Sequence, residues 1–464
     1  MKKFFLMLVA ILAMAALALP AYADSSVTVN RQTVVMDFPN KMTFSLDASS
    51  PNDITDVTLI VRFGTVSHRL KAKITPAKEI KTQVEWNLGS QVSGINGGYL
   101  PPGTTFDYNW VIQDSAGNQL ETEPTSYMVI DNRISWQAAE NDALAVHWYG
   151  APKSYGQSVF DAGVAILETL RKQLGATNTN KVQVWLYTDR NDFRSSIPDL
   201  DTWVGGQSYG EYNSTVLLVS ADDQQDAVDG VRHELTHQVV YEGLGNGVAR
   251  TAFPHWLNEG LATFNQFNGQ GLPNYMSQPL KNAIRTDSLP SLRSRASNFP
   301  PDSNEALLSY AMSYSIVDMI FKQFGEPKMA QAFELIKEGH DADYAFSQAF
   351  GVNTDGLDNM WRKSIGLPER DYSKSGIPSL SAQPTYALSS AETPAASSQA
   401  TPTPKQISAA NTPAPAAPTA SQNSSNNSNS GNASTGLCGV FGAVALAMFG
   451  AYEWRTRSRK RNRI

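Results

Sequence analysis

A chain of 464 residues, 41% of them hydrophobic, is long enough for two domains and a sizeable buried core. Its formal charge of −6 is unevenly spread: Lys2 and Lys3 contribute +2 and the stretch from Glu453 to Ile464 contributes +5, so the body between them carries −13. An acidic body repels phosphate backbones, which excludes nucleic acid as a partner, and a single cysteine, Cys438, excludes an intramolecular disulfide.

The chain opens with Lys2 and Lys3, an apolar run from Phe4 to Leu19, and Ala21-Tyr22-Ala23, the pattern of a secretory signal peptide cut after Ala23 (1–23). From 24 to 133 the apolar residues alternate with polar ones. Met42, Phe44 and Leu46 form one such set, Val57, Leu59, Val61 and Phe63 a second, and Phe106, Tyr108, Trp110 and Ile112 a third. Asp114-Ser115-Ala116-Gly117-Asn118 reads as the turn onto the next strand. The spacing predicts an all-β sandwich of two sheets. The corner Leu100-Pro101-Pro102-Gly103-Thr104-Thr105-Phe106 resembles a loop-to-strand entry of immunoglobulin-like fibronectin type III domains.

From 134 to 372 the pattern is mixed α+β. Phe160, Val164, Leu167, Leu170 and Leu174 recur at helical spacing ahead of Gly175, and 182–187 and 215–219 are strand candidates. The segment 373–435 is rich in Pro, Ala, Ser, Thr and Asn, a composition that cannot build a core and reads as a disordered stalk. A mostly apolar stretch follows (436–453), uncharged from Gly436 to Tyr452, then a basic tail (454–464). Together they predict one C-terminal transmembrane helix with its basic end in the cytoplasm and the body outside the cell. The arrangement also resembles prokaryotic sorting tails, with Cys438 as the processing point, so anchor and sorting signal both stand.

The chemistry concentrates in His233-Glu234-Leu235-Thr236-His237 and Trp256-Leu257-Asn258-Glu259-Gly260. On a helix, His233 and His237 project from one face a turn apart and reach one ion, with Glu234 beside them as proton acceptor for an activated water. At 100° per residue, Val228, Val231, Leu235 and Val239 fall on the opposite side, and Gly230 leaves room beside the imidazoles. With six histidines in the chain, chance gives this pattern in fewer than about one chain in a hundred. Glu259 is the predicted third ligand and His255 its rival. Without cysteine ligands, a His/carboxylate set with one position left for water points to catalytic rather than structural Zn2+, one per chain.

These segments resemble the gluzincin metallopeptidases, the thermolysin-like or peptidase MA-like clan, and the second is close to the Trp-Leu-Asn-Glu-Gly-Phe-Ala of the zinc aminopeptidases. The resemblance spans about 139–371. It implies Glu259 as the third zinc ligand, and it implies a tyrosine that stabilises the oxyanion, here Tyr310 or, one turn on, Tyr314. The aminopeptidases carry an amine-binding Glu in a Gly-x-Met-Glu-Asn strand. The corresponding Gly205-Gly206-Gln207-Ser208-Tyr209 lacks it, and Glu211 lies off the pattern, so aminopeptidase specificity does not follow. The strand at 215–219 is expected to pair with an extended peptide.

The expected function is a cell-surface zinc peptidase acting on peptide or protein substrates, with His233, His237 and Glu259 on the metal, Glu234 as general base and Tyr310 on the oxyanion. The alternative is a non-enzymatic surface binding protein whose peptidase domain has decayed. Substrate, endo or exo mode and oligomeric state are not written in these residues.

Overall fold

The computed structural model describes residues 26–63, 66–88, 98–176, 180–197, 205–245 and 247–374. Its first lobe is β1 (Thr28–Asp37), β2 (Lys41–Phe63), β3 (Val66–Lys71), β4 (Ala77–Asn87), β5 (Thr105–Asp114), β6 (Gln119–Glu121) and β7 (Thr125–Met128). All their pairings are antiparallel. The three alternating sets bury their apolar members, Phe63 only in part, with Phe44, Leu59 and Trp110 fully enclosed in one core.

Two separate sheets were the expectation, and the structure corrects it. β2 runs for 23 residues. Its first half pairs with β1 and β4 and its second with β3 and β5, so one strand belongs to both halves and a single seven-stranded sheet results. The register shifts between Ser49 and Ile54, around Pro51, where β2 passes from one half to the other. Alternation reveals which residues face the core but not where a strand changes partners.

The second lobe has a five-stranded sheet ordered β11 (Gly206–Tyr209), β12 (Ser214–Leu218), β10 (Val182–Tyr187), β9 (Leu144–Trp148) and β8 (Gln137–Glu140). The three inner strands are parallel and the two outer ones antiparallel to their neighbours. β10 buries Val182, Val184, Trp185, Leu186 and Tyr187 on both faces, as a central parallel strand must. β12 therefore lies between β10 and β11 and has no free edge for a peptide. The outer strand is β11, folded back through the turn at Gly210–Tyr212.

Helices make up the rest of this lobe among the described residues: α1 (Lys153–Leu174), α2 (Arg190–Ser196) and α3 (Gln224–Leu244), which contact the sheet, then α4 (Gly247–Ala252), α5 (His255–Gln266), α6 (Asn274–Thr286), α7 (Ser303–Lys337), α8 (Ala342–Phe350) and α9 (Thr354–Ser364). α1 ends at Gly175, in the left-handed region, as expected. Of the expected set, Leu170 and Leu174 are buried and Phe160 and Leu167 pack against the core, but Val164 is exposed and the stripe is rotated toward Tyr155, Val159, Gly163 and Ile166. The glycines explain the rotation. A Cβ at Gly156 would overlap the Trp148 ring, and one at Gly163 would lie 2.6 Å from Leu144, so the helix seats its smallest residues on the sheet. α7 breaks at Gly325, whose φ of 75° ends its first half.

The loop Pro101–Thr104 of the first lobe is buried against the second. Ser214 Oγ donates to Pro102 O (2.5 Å), and a Cβ at Gly103 would meet Gln183. No helix among the described residues is long and apolar enough to cross a membrane, and the predicted signal peptide and membrane segment lie outside them.

Candidate metal centre

α3 starts at Asp223, whose side chain accepts from the Asp226 N–H, and carries the first motif along its length. Val231 and Leu235 pack toward Gly163 of α1. The opposite, ligand-bearing face is separate from this packing, as expected, and is covered by α5, so His233 is fully enclosed. α5 itself lies close on α7 because Gly260 has no side chain: a Cβ there would be 2.8 Å from the Ser313 carbonyl. This contact brings Glu259 and Tyr310 to the imidazoles.

His233 Nε2 and His237 Nε2 are 3.0 Å apart, and each is 3.6 Å from Glu259 Oε2. Two donors at zinc-ligand distance subtending a tetrahedral angle stand about 3.3 Å apart, so the triangle has the size an ion requires. Its chemistry fits as well. His233 Nδ1 lies 3.1 Å from Gln266 Oε1 and His237 Nδ1 3.1 Å from Asn258 Oδ1. Amide oxygens only accept, so each imidazole carries its hydrogen on Nδ1 and presents a bare Nε2 inward. Both Glu259 oxygens are buried and neither accepts a well-formed hydrogen bond among the described residues, although the Tyr310 hydroxyl lies close enough for the carboxylate to raise its pKa. Two facing lone pairs and an uncompensated carboxylate are repulsive without a cation between them.

The electrostatics agree. Burial lowers the His237 pKa, which keeps the ring neutral. Burial raises the Glu259 pKa, and what lowers it is positive charge at the imidazoles, His237 first; with neutral rings that charge falls to an ion in the triangle. Glu234 behaves oppositely: burial lifts it to about 7, against the pull of His233 and of Ser208. Ser208 Oγ donates to Glu234 Oε2 at 2.7 Å.

His255 is nearly buried, with its ring on Phe299 and its Nε2 3.9 Å from Glu259 Oε1, on the far oxygen from the other two imidazoles. The two tyrosine candidates separate. Tyr310 is buried, its hydroxyl has no hydrogen-bond partner among the described residues, and burial, then the charges of Glu259 and Glu234, push its pKa well above the ordinary range. Tyr314 instead accepts the Gly271 N–H at 2.8 Å and packs on Phe264, a structural use. Glu211 is not brought to the cluster. It lines a cavity between the lobes with Trp86 and Tyr212.

Sequence reasoning missed Gln266 and Ser208. Gln266 follows His233 by 33 residues and Ser208 precedes Glu234 by 26, and no local pattern marks either. Asn258, within the second motif, was quoted without a role.

Residues 162–366 match the family model of the Peptidase MA superfamily. Among curated proteins, mitochondrial aminopeptidase 2 of Saccharomyces cerevisiae is 26% identical over 205 residues, covering 39% of this chain and only 21% of the yeast protein. An M1 zinc metallopeptidase structure from Deinococcus radiodurans aligns at 12% identity and TM-score 0.33, covering 74% of this chain and 95% of that one. A variant of it bound to a Tyr-Ser-Ala substrate gives 12% and 0.33, with 71% and 91% covered. Overlaps this loose position no side chain.

Proposed function

We propose that this chain, whose residues 162–366 are a peptidase MA superfamily domain, is a zinc-dependent peptidase, exported and held at the cell surface. One observation carries the reading: three buried ligand atoms, on His233, His237 and Glu259, form a triangle of ion-binding size, and the carboxylate in it accepts no well-formed hydrogen bond among the described residues. The family match supports the same chemistry.

His233, His237 and Glu259 would hold the ion, with Gln266 and Asn258 fixing the two imidazoles. Bound there, zinc supplies Lewis acidity that polarises a carbonyl and activates water. Glu234 takes the proton of the attacking water and passes it to the leaving nitrogen, a role suited to a carboxyl poised at about 7. The Tyr310 hydroxyl, buried and with no partner of its own, donates to the oxyanion as it develops. The outer edge of β11 takes the extended substrate backbone, in place of the 215–219 strand. Export and anchoring rest on the sequence pattern of 1–23 and 436–464 alone.

The test is zinc content together with hydrolysis of an unstructured protein. Wild type binds one zinc and cleaves. Glu234→Gln keeps the zinc and loses about a hundredfold or more in kcat. Metal without turnover on any substrate in the wild type would favour the decayed binding protein.

A further inference from the structure

We propose that Gln238, Thr215 and Ser208 form a one-way chain of hydrogen-bond donors that orients Glu234: Gln238 donates to Thr215, Thr215 to Ser208, and Ser208 to Glu234 Oε2. This rests on the peptidase reading, because it explains how the base of that reaction is held. All four side chains are buried, so water does not compete for their hydrogen bonds.

The direction follows from what each atom is able to do. Gln238 Nε2 lies 2.7 Å from the Ser214 carbonyl oxygen, which only accepts, so that position must be the amide nitrogen. Its second hydrogen meets Thr215 Oγ1 at 3.1 Å. Thr215 accepts there and keeps its own proton for Ser208 Oγ, 2.9 Å away. At the other end Glu234 acts as base in its ionised form, which only accepts, so in that form the single Ser208 proton goes to Glu234 Oε2 at 2.7 Å. The other acceptor near that hydroxyl is the backbone oxygen of Glu234 itself, at 3.0 Å. Each link is thereby assigned, and the chain runs one way.

The links sit on three elements. Ser208 is on the outer strand β11, Thr215 on β12, and Gln238 on α3 one turn beyond Glu234. The base is tied to the sheet as well as to its own helix. The consequence is an asymmetric carboxylate. Oε2 is committed to Ser208, while Oε1 faces the bare Cα of Gly206, where a Cβ would come within 2.8 Å of it. The oxygen left without a protein donor among the described residues is the one able to receive a proton from water. Ser208, Thr215 and Gln238 are positioning residues, since they act through Glu234.

The test compares wild type, Ser208→Ala, Thr215→Val and the double variant of the full chain, by kcat, KM, bound zinc and the crystallographic orientation of Glu234. Ser208→Ala should lower kcat about tenfold or more with KM and zinc unchanged, as expected for a lost hydrogen bond to a charged group. Its Glu234 carboxylate should turn away from the wild-type position. Thr215→Val, which preserves volume, should lower kcat by less. The double variant should be no slower than Ser208→Ala, because an upstream link has nothing to act on once the last is gone. A merely structural pair of defects would multiply instead, and that result overturns the chain. So does an unchanged kcat with unchanged Glu234 orientation in Ser208→Ala or, should that variant not fold, in Thr215→Val. If the wild type cleaves nothing, the peptidase reading fails, and the orientation of Glu234 in the variants alone decides the inference.

Discussion

Each lobe buries a carboxylate, and the two are treated in opposite ways. In the β lobe, Asp114 is 2% exposed and fully supplied. Its Oδ1 accepts from the backbone of Ala116 and Asn118, both at 3.0 Å. Its Oδ2 accepts from Ser50 Oγ (2.8 Å), Asn118 Nδ2 (2.9 Å) and Asn52 Nδ2 (3.2 Å). These donors, the Asn118 side chain first, hold its pKa well below the usual carboxylate range. In the second lobe Glu259 is completely enclosed and has no such donor. A buried charge is tolerable when the protein itself satisfies it or when something else is meant to. Asp114 locks the turn that joins β5 to β6, whereas Glu259 is arranged for a cation.

The matched amide substitutions put that contrast under strain. Glu259→Gln should have the largest effect, removing bound zinc, hydrolysis and the gain in Tm that zinc gives the wild type. The stabilisation free energy behind that gain is about 4 kcal/mol at a thousandfold excess of metal over Kd. Calorimetry with and without a chelator, together with a metal assay, reads all three. Tyr310→Phe comes next: kcat should fall about a hundredfold or more while zinc stays, as for loss of an oxyanion donor. Steady-state kinetics check it, and an unchanged kcat would return Tyr310 to a packing role. Asn258→Ala, which frees the His237 ring from its 3.1 Å partner, should weaken zinc about tenfold to a hundredfold in a competition titration. Smallest for function is Asp114→Asn, which should lower Tm while leaving zinc content and kcat at wild-type values below the transition. Loss of activity there would erase the distinction between the two carboxylates.

How much of this could be read from residue order depends on the range of the interaction. The imidazole pair and Glu234 are spaced within one helix, so a helical repeat places them before any tertiary fold is known. Glu259 comes from a second segment and was reached through its resemblance to a known motif. The Asp114 turn is similarly local. On α1 the periodicity finds Leu170, Leu174, Phe160 and Leu167 but errs at Val164, because it weights large side chains while Gly156 and Gly163 make the closest contacts. The edge strand was misassigned because nothing in 215–219 announces that 206–209 will fold back over it. Gln266 and Ser208 were invisible for the same reason: a hydrogen bond across 33 or 26 residues leaves no pattern in either neighbourhood.

The central claim is that one divalent ion sits among His233, His237 and Glu259. A crystal structure of the zinc-loaded protein, with data collected on both sides of the zinc absorption edge, tests it most directly. The account predicts a single anomalous peak, about 2.0–2.2 Å from both Nε2 atoms and from Glu259, with no fourth protein ligand. An empty triangle in zinc-replete crystals, or a zinc there closed by a fourth side chain, would contradict it.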